Sequence, residues 1–254
     1  MTTAQNNIVA WWRMDDSLPS TVVLDSSGNG YNGASIRNTN LMHVAGKIDG
    51  ALSFDGVNDY INTGQTFQAA FRNSFSINFW FNPNNYPPQD SPRWIIGNNQ
   101  DVHGTMEIVY YKGDNGNNFI VYYKELSSVF LLSAIDSYID SYEVLQWNMI
   151  TITTEKLSPT TARMTLYSNS TLIATKDVSV VMSDFVTINN LFIGALNSKD
   201  GFDSTQCLDG SLDDVRIYNK ALSADEVKQL YDEGNSDQNQ LNATGERFLS
   251  EIGI

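Results

Sequence analysis

Apolar residues in this chain gather in short runs, over 21–24, 51–54, 60–63, 75–81, 94–97, 106–111, 119–123, 149–154, 163–168, 172–177, 191–194 and 214–218. Clusters of Gly, Asn, Asp, Ser and Pro separate them. Many short β-rich runs punctuated in this way predict the strands of a sandwich or barrel. Asn115-Gly116 stands between two well-alternating runs and is the strongest hairpin-turn signal, because both residues tolerate positive φ.

Helical periodicity is confined to the stretch near 223–233. Ser223 is placed to cap a helix, and Glu226 three residues on completes a capping box worth ~1 kcal/mol. Val227, Leu230 and Tyr231 share one face, and Gly234 supplies a C-terminal stop. Beyond it, 235–254 is polar until Phe248, Leu249, Ile252 and Ile254. That spacing suggests an amphipathic turn that docks on the parent domain or on a partner.

Just before the helix, a strand-like run changes phase. Leu208, Gly210 and Leu212 fall on one phase, Val215 and Ile217 on the other. One extra residue at Asp213-Asp214 accounts for the shift, which predicts a β-bulge of the kind that re-aims side chains beside functional sites. Adjacent carboxylates at such a point are costly without a positive partner, and a hard, oxygen-seeking cation is the simplest one.

Composition narrows the classes. At 254 residues, 41% of them hydrophobic, the chain can bury a sizeable core as one large all-β domain. A net charge of −14 argues against nucleic acid and anionic membranes as partners, since the long-range field repels phosphates. The single cysteine, Cys207, rules out an internal disulfide, so the fold stands on its core, with metal as the available help. Residues 1–7 are polar and lack the regions of a signal peptide, and no apolar run is long enough to insert in a bilayer. With Met1 as the natural start, the expectation is a chain that reaches an exterior surface by assembly, as virion proteins do.

The segment Gly210-Ser-Leu-Asp-Asp-Val-Arg-Ile-Tyr-Asn-Lys-Ala-Leu-Ser-Ala-Asp-Glu226 resembles the closing motif of the laminin-G-like, concanavalin A-like jelly-roll domains. The glycine-rich turn over 25–33, the segment 46–60 and the strands 75–81 and 146–152 resemble the family's other landmarks in the same order, and the resemblance spans roughly 8–233. It implies an all-β fold: a two-sheet antiparallel jelly-roll sandwich with one short C-terminal helix. The domain is expected over 1–234, with 235–254 as a tail that docks on a partner or the parent domain.

The resemblance also implies a metal where the two chain ends meet, held in many relatives by residues matching Asp15, Asn29 and Asp213. Asp25 and Gly30, in a loop whose glycines expose backbone carbonyls, complete the candidate Ca2+ set; calcium takes about 6–8 oxygens. Its role there would be structural, joining the ends of the sandwich. The competing reading is that Asp25 and Asp213 make only turn and cap hydrogen bonds.

Catalysis finds little support. Relatives that cleave β-glucans carry Glu-x-Asp-x-x-Glu on one strand, setting two carboxyls roughly 5 Å apart, and this chain has no such motif. Asp136, Asp140 and Glu143 form the nearest cluster, but the odd spacing of Asp140 and Glu143 points them to opposite faces of a strand. His43 and His103 match no lyase context, and with one cysteine there is almost nothing for triads or zinc.

Binding is the stronger reading. Sugar recognition uses amides and carboxylates for hydroxyls and aromatic faces for the apolar side of the ring. Aromatic residues are dense from Phe79 to Tyr123. Phe79, Phe81 and Trp147 are assigned to the core. Tyr86 and Trp94 in a Pro-rich loop, Tyr111 and Tyr122 from the paired tyrosines, and Asp200 and Asp203 in the loop 197–203 are the candidate ligand-binding residues. The expected function is non-catalytic: a glycan-binding adhesion or decoration module on a virion or other large particle. Its partners would be a surface polysaccharide and, through the tail, other virion or assembly proteins. A purely structural virion component and a polysaccharide-active hydrolase or lyase are the alternatives.

Overall fold

The computed structural model describes residues 7–88, 91–98, 105–113, 116–124, 142–198, 201–203 and 206–236. The short apolar runs become strands of two sheets packed face to face. The first sheet runs in the order β13 (Thr171–Ser179), β12 (Thr161–Ser168), β11 (Asn148–Ser158), β7 (Phe75–Pro83), β17 (Asp209–Tyr218), β5 (Gly50–Asp55) and β4 (His43–Ala45), with β1 (Ile8–Trp12) also on β17. The second runs β10 (Gly116–Lys124), β9 (Thr105–Gly113), β8 (Arg93–Asn98), β14 (Phe192–Ile193), β6 (Ile61–Asn62), β3 (Gly33–Ser35) and β2 (Val22–Val23). The hairpin of β15 (Leu196–Ser198) and β16 (Gly201–Asp203) joins it at β8. The expected antiparallel sandwich is present, with one parallel bridge, Asn197 to Asn98.

Alternation explains the core. In β17, Leu212, Val215 and Ile217 face inward, as do Ala10 and Trp12 of β1, and all are fully buried. Phe71 meets Phe75 and Phe185 edge to face, and Phe81 meets Tyr110 and Tyr142 in the same way. Burying each such side chain contributes roughly 1.5–3 kcal/mol.

After the short helix α1 (Gln68–Phe71), a second helix, α2, runs over 224–236 and covers the outer face of the first sheet. Val227 and Leu230 pack on Trp80, Met149 and Tyr218, with Trp147 and Tyr231 partly buried beside them. Trp147 therefore belongs to this outer cluster instead of the main core. The capping box forms as expected: Ser223 N–H donates to Glu226 Oε2 at 3.0 Å, and Glu226 N–H to Ser223 Oγ at 3.3 Å. Gly234 does not stop the helix. It lies inside it, and a Cβ there would come within 2.6 Å of the Trp80 ring, so close packing explains the glycine.

The predicted bulge is present. Asp213 pairs with Trp80 and Arg216 with Asn78, so one extra residue sits on β17, and Asp214 takes a left-handed φ of 54°. In the β9–β10 hairpin Gly113 lies opposite Gly116, so Gly116 of the expected Asn115-Gly116 turn begins β10, while Asn115 lies outside the described residues. The expected loop 197–203 instead contains the β15–β16 hairpin. Among the described residues, no helix is long and apolar enough to cross a membrane.

Candidate functional site

The bulge is where β17 changes partners. Residues 209–212 pair with β5, and residues 215–218 pair with β1 on the same side. Between the end of β1 and the start of β5, no strand among the described residues covers the edge of β17. Asp213 and Asp214 fill that gap. Asp213 Oδ2 accepts the main-chain N–H groups of Lys47 at 2.8 Å and Ile48 at 2.7 Å, from the turn before β5. Its Oδ1 is buried and has no hydrogen-bond partner among the described residues. Burial pushes the Asp213 carboxyl up to about 8, with Asp214 and Asp15 adding to the rise and the two N–H bonds opposing it.

Asp214 is held differently. It accepts the indole N–H of Trp11 and pairs with Arg216, whose Nη2 lies 2.7 Å from Oδ2. The Arg216 side chain is only 11% exposed. Its guanidinium lies 4.6 Å from the centre of the Trp11 ring, and that of Arg13 lies 5.8 Å from it. Arg13 in turn pairs with Asp15 and Asp49 at 3.1 and 2.8 Å. Asp15 aside, these groups, with Ile48, Glu233 and Ser236, line a pocket of about 290 Å³ beside the end of α2.

A second region lies on the outer face of the second sheet. Trp94 pairs with Val109, and Gly97 with Glu107. The Trp94 indole N–H donates to Glu107 Oε2 at 3.0 Å. A Cβ at Gly97 would meet Leu196 Cδ1 at 2.9 Å and Trp94 Cδ1 at 3.2 Å, so only glycine lets both side chains close over this point. Glu107 is 7% exposed, and burial pushes its carboxyl up to about 7 against the indole bond. Tyr111 lies two positions beyond Val109 and is half-buried. The register sets Tyr122 opposite Glu107 and Asp203 opposite Leu196.

A family model described as the concanavalin A-like lectin/glucanases superfamily matches residues 55–228. The chain belongs to this superfamily. Among solved structures it is similar to the binding domain of botulinum neurotoxin DC in complex with SialylT, at 15% identity and a TM-score of 0.62, covering 91% of this chain and 52% of that one. It is also similar to the binding domain of Paraclostridial mosquitocidal protein 1, at 19% identity and 0.61, covering 90% and 52%. Domain 4 of AbnA, a GH43 extracellular arabinanase from Geobacillus stearothermophilus, in complex with arabinotriose, matches at 18% identity and 0.59, covering 89% and 98%. The chain thus spans about half of the toxin domains and nearly all of the arabinanase domain. Such identities establish a shared fold. No curated protein matches the sequence.

Within this superfamily fold, the candidate calcium residues separate into two groups. Asp25 accepts N–H bonds from Trp11, Ser27 and Tyr31 and the Ser27 hydroxyl, all within 3.0 Å. Partial burial opposes its charge, but these donors outweigh it and hold Asp25 below the usual carboxylate range. Asn29 Nδ2 donates to the carbonyls of Val9 at 2.9 Å and Ile8 at 3.3 Å, and Gly30 turns the loop at a φ of 79°. Asp213 and Asp15 lie at the other end of β1, where Asp214 N–H reaches Arg13 O. Asn29, held at Ile8 and Val9, is thus about 13 Å of extended chain from Arg13, while Asp25, bridged to Trp12, lies on the edge of β1 opposite β17. Among the described residues, no three His, Cys, Asp or Glu side chains gather to hold a metal. The set does not fit one calcium ion.

The ligand-binding candidates also divide. Trp94 and Tyr111 share the outer face of the second sheet. Tyr86 instead packs on Tyr142 at the sandwich end, with its hydroxyl donating to Glu143 and the Lys112 ammonium 5.7 Å from its ring. Asp200 lies outside the described residues, as do Asp136, Asp140 and His103. Sequence reasoning missed Glu107, whose signal was a lone carboxylate inside the apolar run 106–111. It also missed Trp11 and Arg216.

Proposed function

We propose that this chain is a non-catalytic glycan-binding module whose platform is the outer face of the second sheet around Trp94. One observation carries the proposal: a half-buried indole is fixed in place by the single hydrogen bond it gives to a nearly buried carboxyl. A sugar ring stacks on such an indole through its apolar C–H face, while carboxyl and amide groups alongside bond its hydroxyls. At neutral pH, Glu107 is poised between donor and acceptor, which suits hydroxyl groups of either sense. The superfamily fold supports the reading, as does the match to nearly the whole of an arabinanase domain whose structure contains arabinotriose.

The setting we propose is the exterior of a virion or other large particle, with 235–254 linking the module to assembly proteins. The apolar Phe248, Leu249, Ile252 and Ile254 after a polar stretch support this link. Deleting 237–254 should abolish incorporation into particles with the thermal transition of the sandwich unchanged; full incorporation would refute it. The glycan reading is tested on an array carrying arabino-oligosaccharides and sialylated oligosaccharides. Binding that is lost in Trp94→Ala supports it. Absence of binding by the wild type favours a purely structural component, and polysaccharide turnover abolished by Glu107→Gln favours an enzyme.

A further inference from the structure

We infer that the N-terminal loop and strand β17 are clasped by Trp11 and two arginines in place of a calcium ion. The inference is independent of the glycan reading and rests on how most of the carboxylate oxygens at the junction are already engaged. Calcium requires about 6–8 oxygens converging at 2.3–2.6 Å. Here Asp25 Oδ1 takes the N–H groups of Trp11 and Ser27, and Oδ2 takes Tyr31 N–H and the Ser27 hydroxyl. Asp214 Oδ1 takes the Trp11 indole N–H and Arg216 Nε, and its Oδ2 takes Arg216 Nη2. Asp15 bonds Arg13, and Asp213 Oδ2 is committed to Lys47 and Ile48. What remains among these carboxylates is a single unpartnered oxygen on a buried residue, Asp213 Oδ1.

The positive charge that a metal would bring is already supplied. Arg216 and Arg13 stand in the same pocket as Asp213 and Asp214 and would repel a divalent cation placed there. Trp11 makes the physical link. Its main-chain N–H reaches the N-terminal loop at Asp25, and its indole N–H reaches the C-terminal strand at Asp214. Two guanidinium groups lie over its ring, an arrangement that gains from the ring's negative face.

Thermal unfolding of the full chain followed by circular dichroism tests this, in buffer with EGTA and then with millimolar calcium chloride. The expected result is one transition temperature in both. A calcium-dependent rise in the wild type overturns the inference. Trp11→Phe, which keeps the ring and removes the indole donor, is the second arm: it should lower the transition temperature by several degrees and stay insensitive to calcium. A Trp11→Phe protein as stable as wild type would also overturn it.

Discussion

The two sheets each carry a tryptophan whose indole N–H is given to a carboxylate, and the two pairs have different surroundings. At the first sheet, Trp11 donates to Asp214, which also holds Arg216, and the end of α2 closes over the pocket. At the second sheet, Trp94 donates to Glu107, and among the described residues that indole is the one hydrogen-bond partner shown for its carboxyl. In the first pair a buried guanidinium shares the carboxylate, which makes a fixed ionic clasp. In the second, burial acts on a carboxyl whose partner is an uncharged indole, and it is pushed up to about 7. The same donor–acceptor pair thus serves closure in one place and, we propose, recognition in the other.

The comparison breaks first at the clasp. Asp214→Ala leaves the nearly buried Arg216 without its carboxylate, and removing one member of a buried ion pair costs about 3–5 kcal/mol. Urea denaturation should show a loss of this order, or no folded protein. Trp94→Ala should cost the fold less, about 1–3 kcal/mol for the Glu107 acceptor left unpaired, and lower glycan affinity at least tenfold, equivalent to about 1.4 kcal/mol. Equal stability losses in the two variants would erase the distinction.

The pH dependence sharpens the same contrast. Folding raises the Glu107 carboxyl to about 7 and that of Asp213 to about 8. A raised carboxyl favours the folded state at low pH, and its contribution disappears as pH climbs from the unfolded value near 4 through the folded one. Stability should therefore fall between about pH 4 and 7–8, by on the order of 1 kcal/mol per pH unit for each proton involved. Glu107→Gln keeps an acceptor for the indole and should flatten this slope below pH 7, with Asp213 still titrating. An unchanged slope would mean that Glu107 is not the group responsible. Asp25, held low by its N–H donors, acts only below about pH 4 and in the opposite sense.

Two smaller effects test the covering of the first sheet. Gly234→Ala drives a methyl into the Trp80 ring and should cost roughly 1–3 kcal/mol. Ser223→Ala removes the capping hydroxyl and should cost ~1 kcal/mol, again read from urea midpoints.

The legible parts of the molecule were those where one face meets solvent or where phase changes. The bulge at Asp213 showed itself because Leu212 and Val215 cannot both face inward on a regular strand. The capping box was visible because its partners are close in sequence. Strand β1 was harder to see: Ala10 and Trp12 enter the core while Trp11 joins the clasp, so no polar alternation marks it. Gly234 looked like a stop because sequence does not show a ring pressed against a helix. The site residues failed as a set for a related reason. Asp25 and Asp213 both belong to the junction of the N-terminal loop with β17, but they lie on opposite edges of β1, and each finds its donors locally. Glu107 looked like an ordinary strand residue until the register placed it against Trp94.

Glycan-array binding of Trp94→Ala beside the wild type, at matched folded concentration, is the most direct test of the division between clasp and platform. The account predicts a wild-type signal on at least one oligosaccharide class and its loss in the variant while the variant remains folded. A Trp94→Ala protein that binds as the wild type does would contradict it.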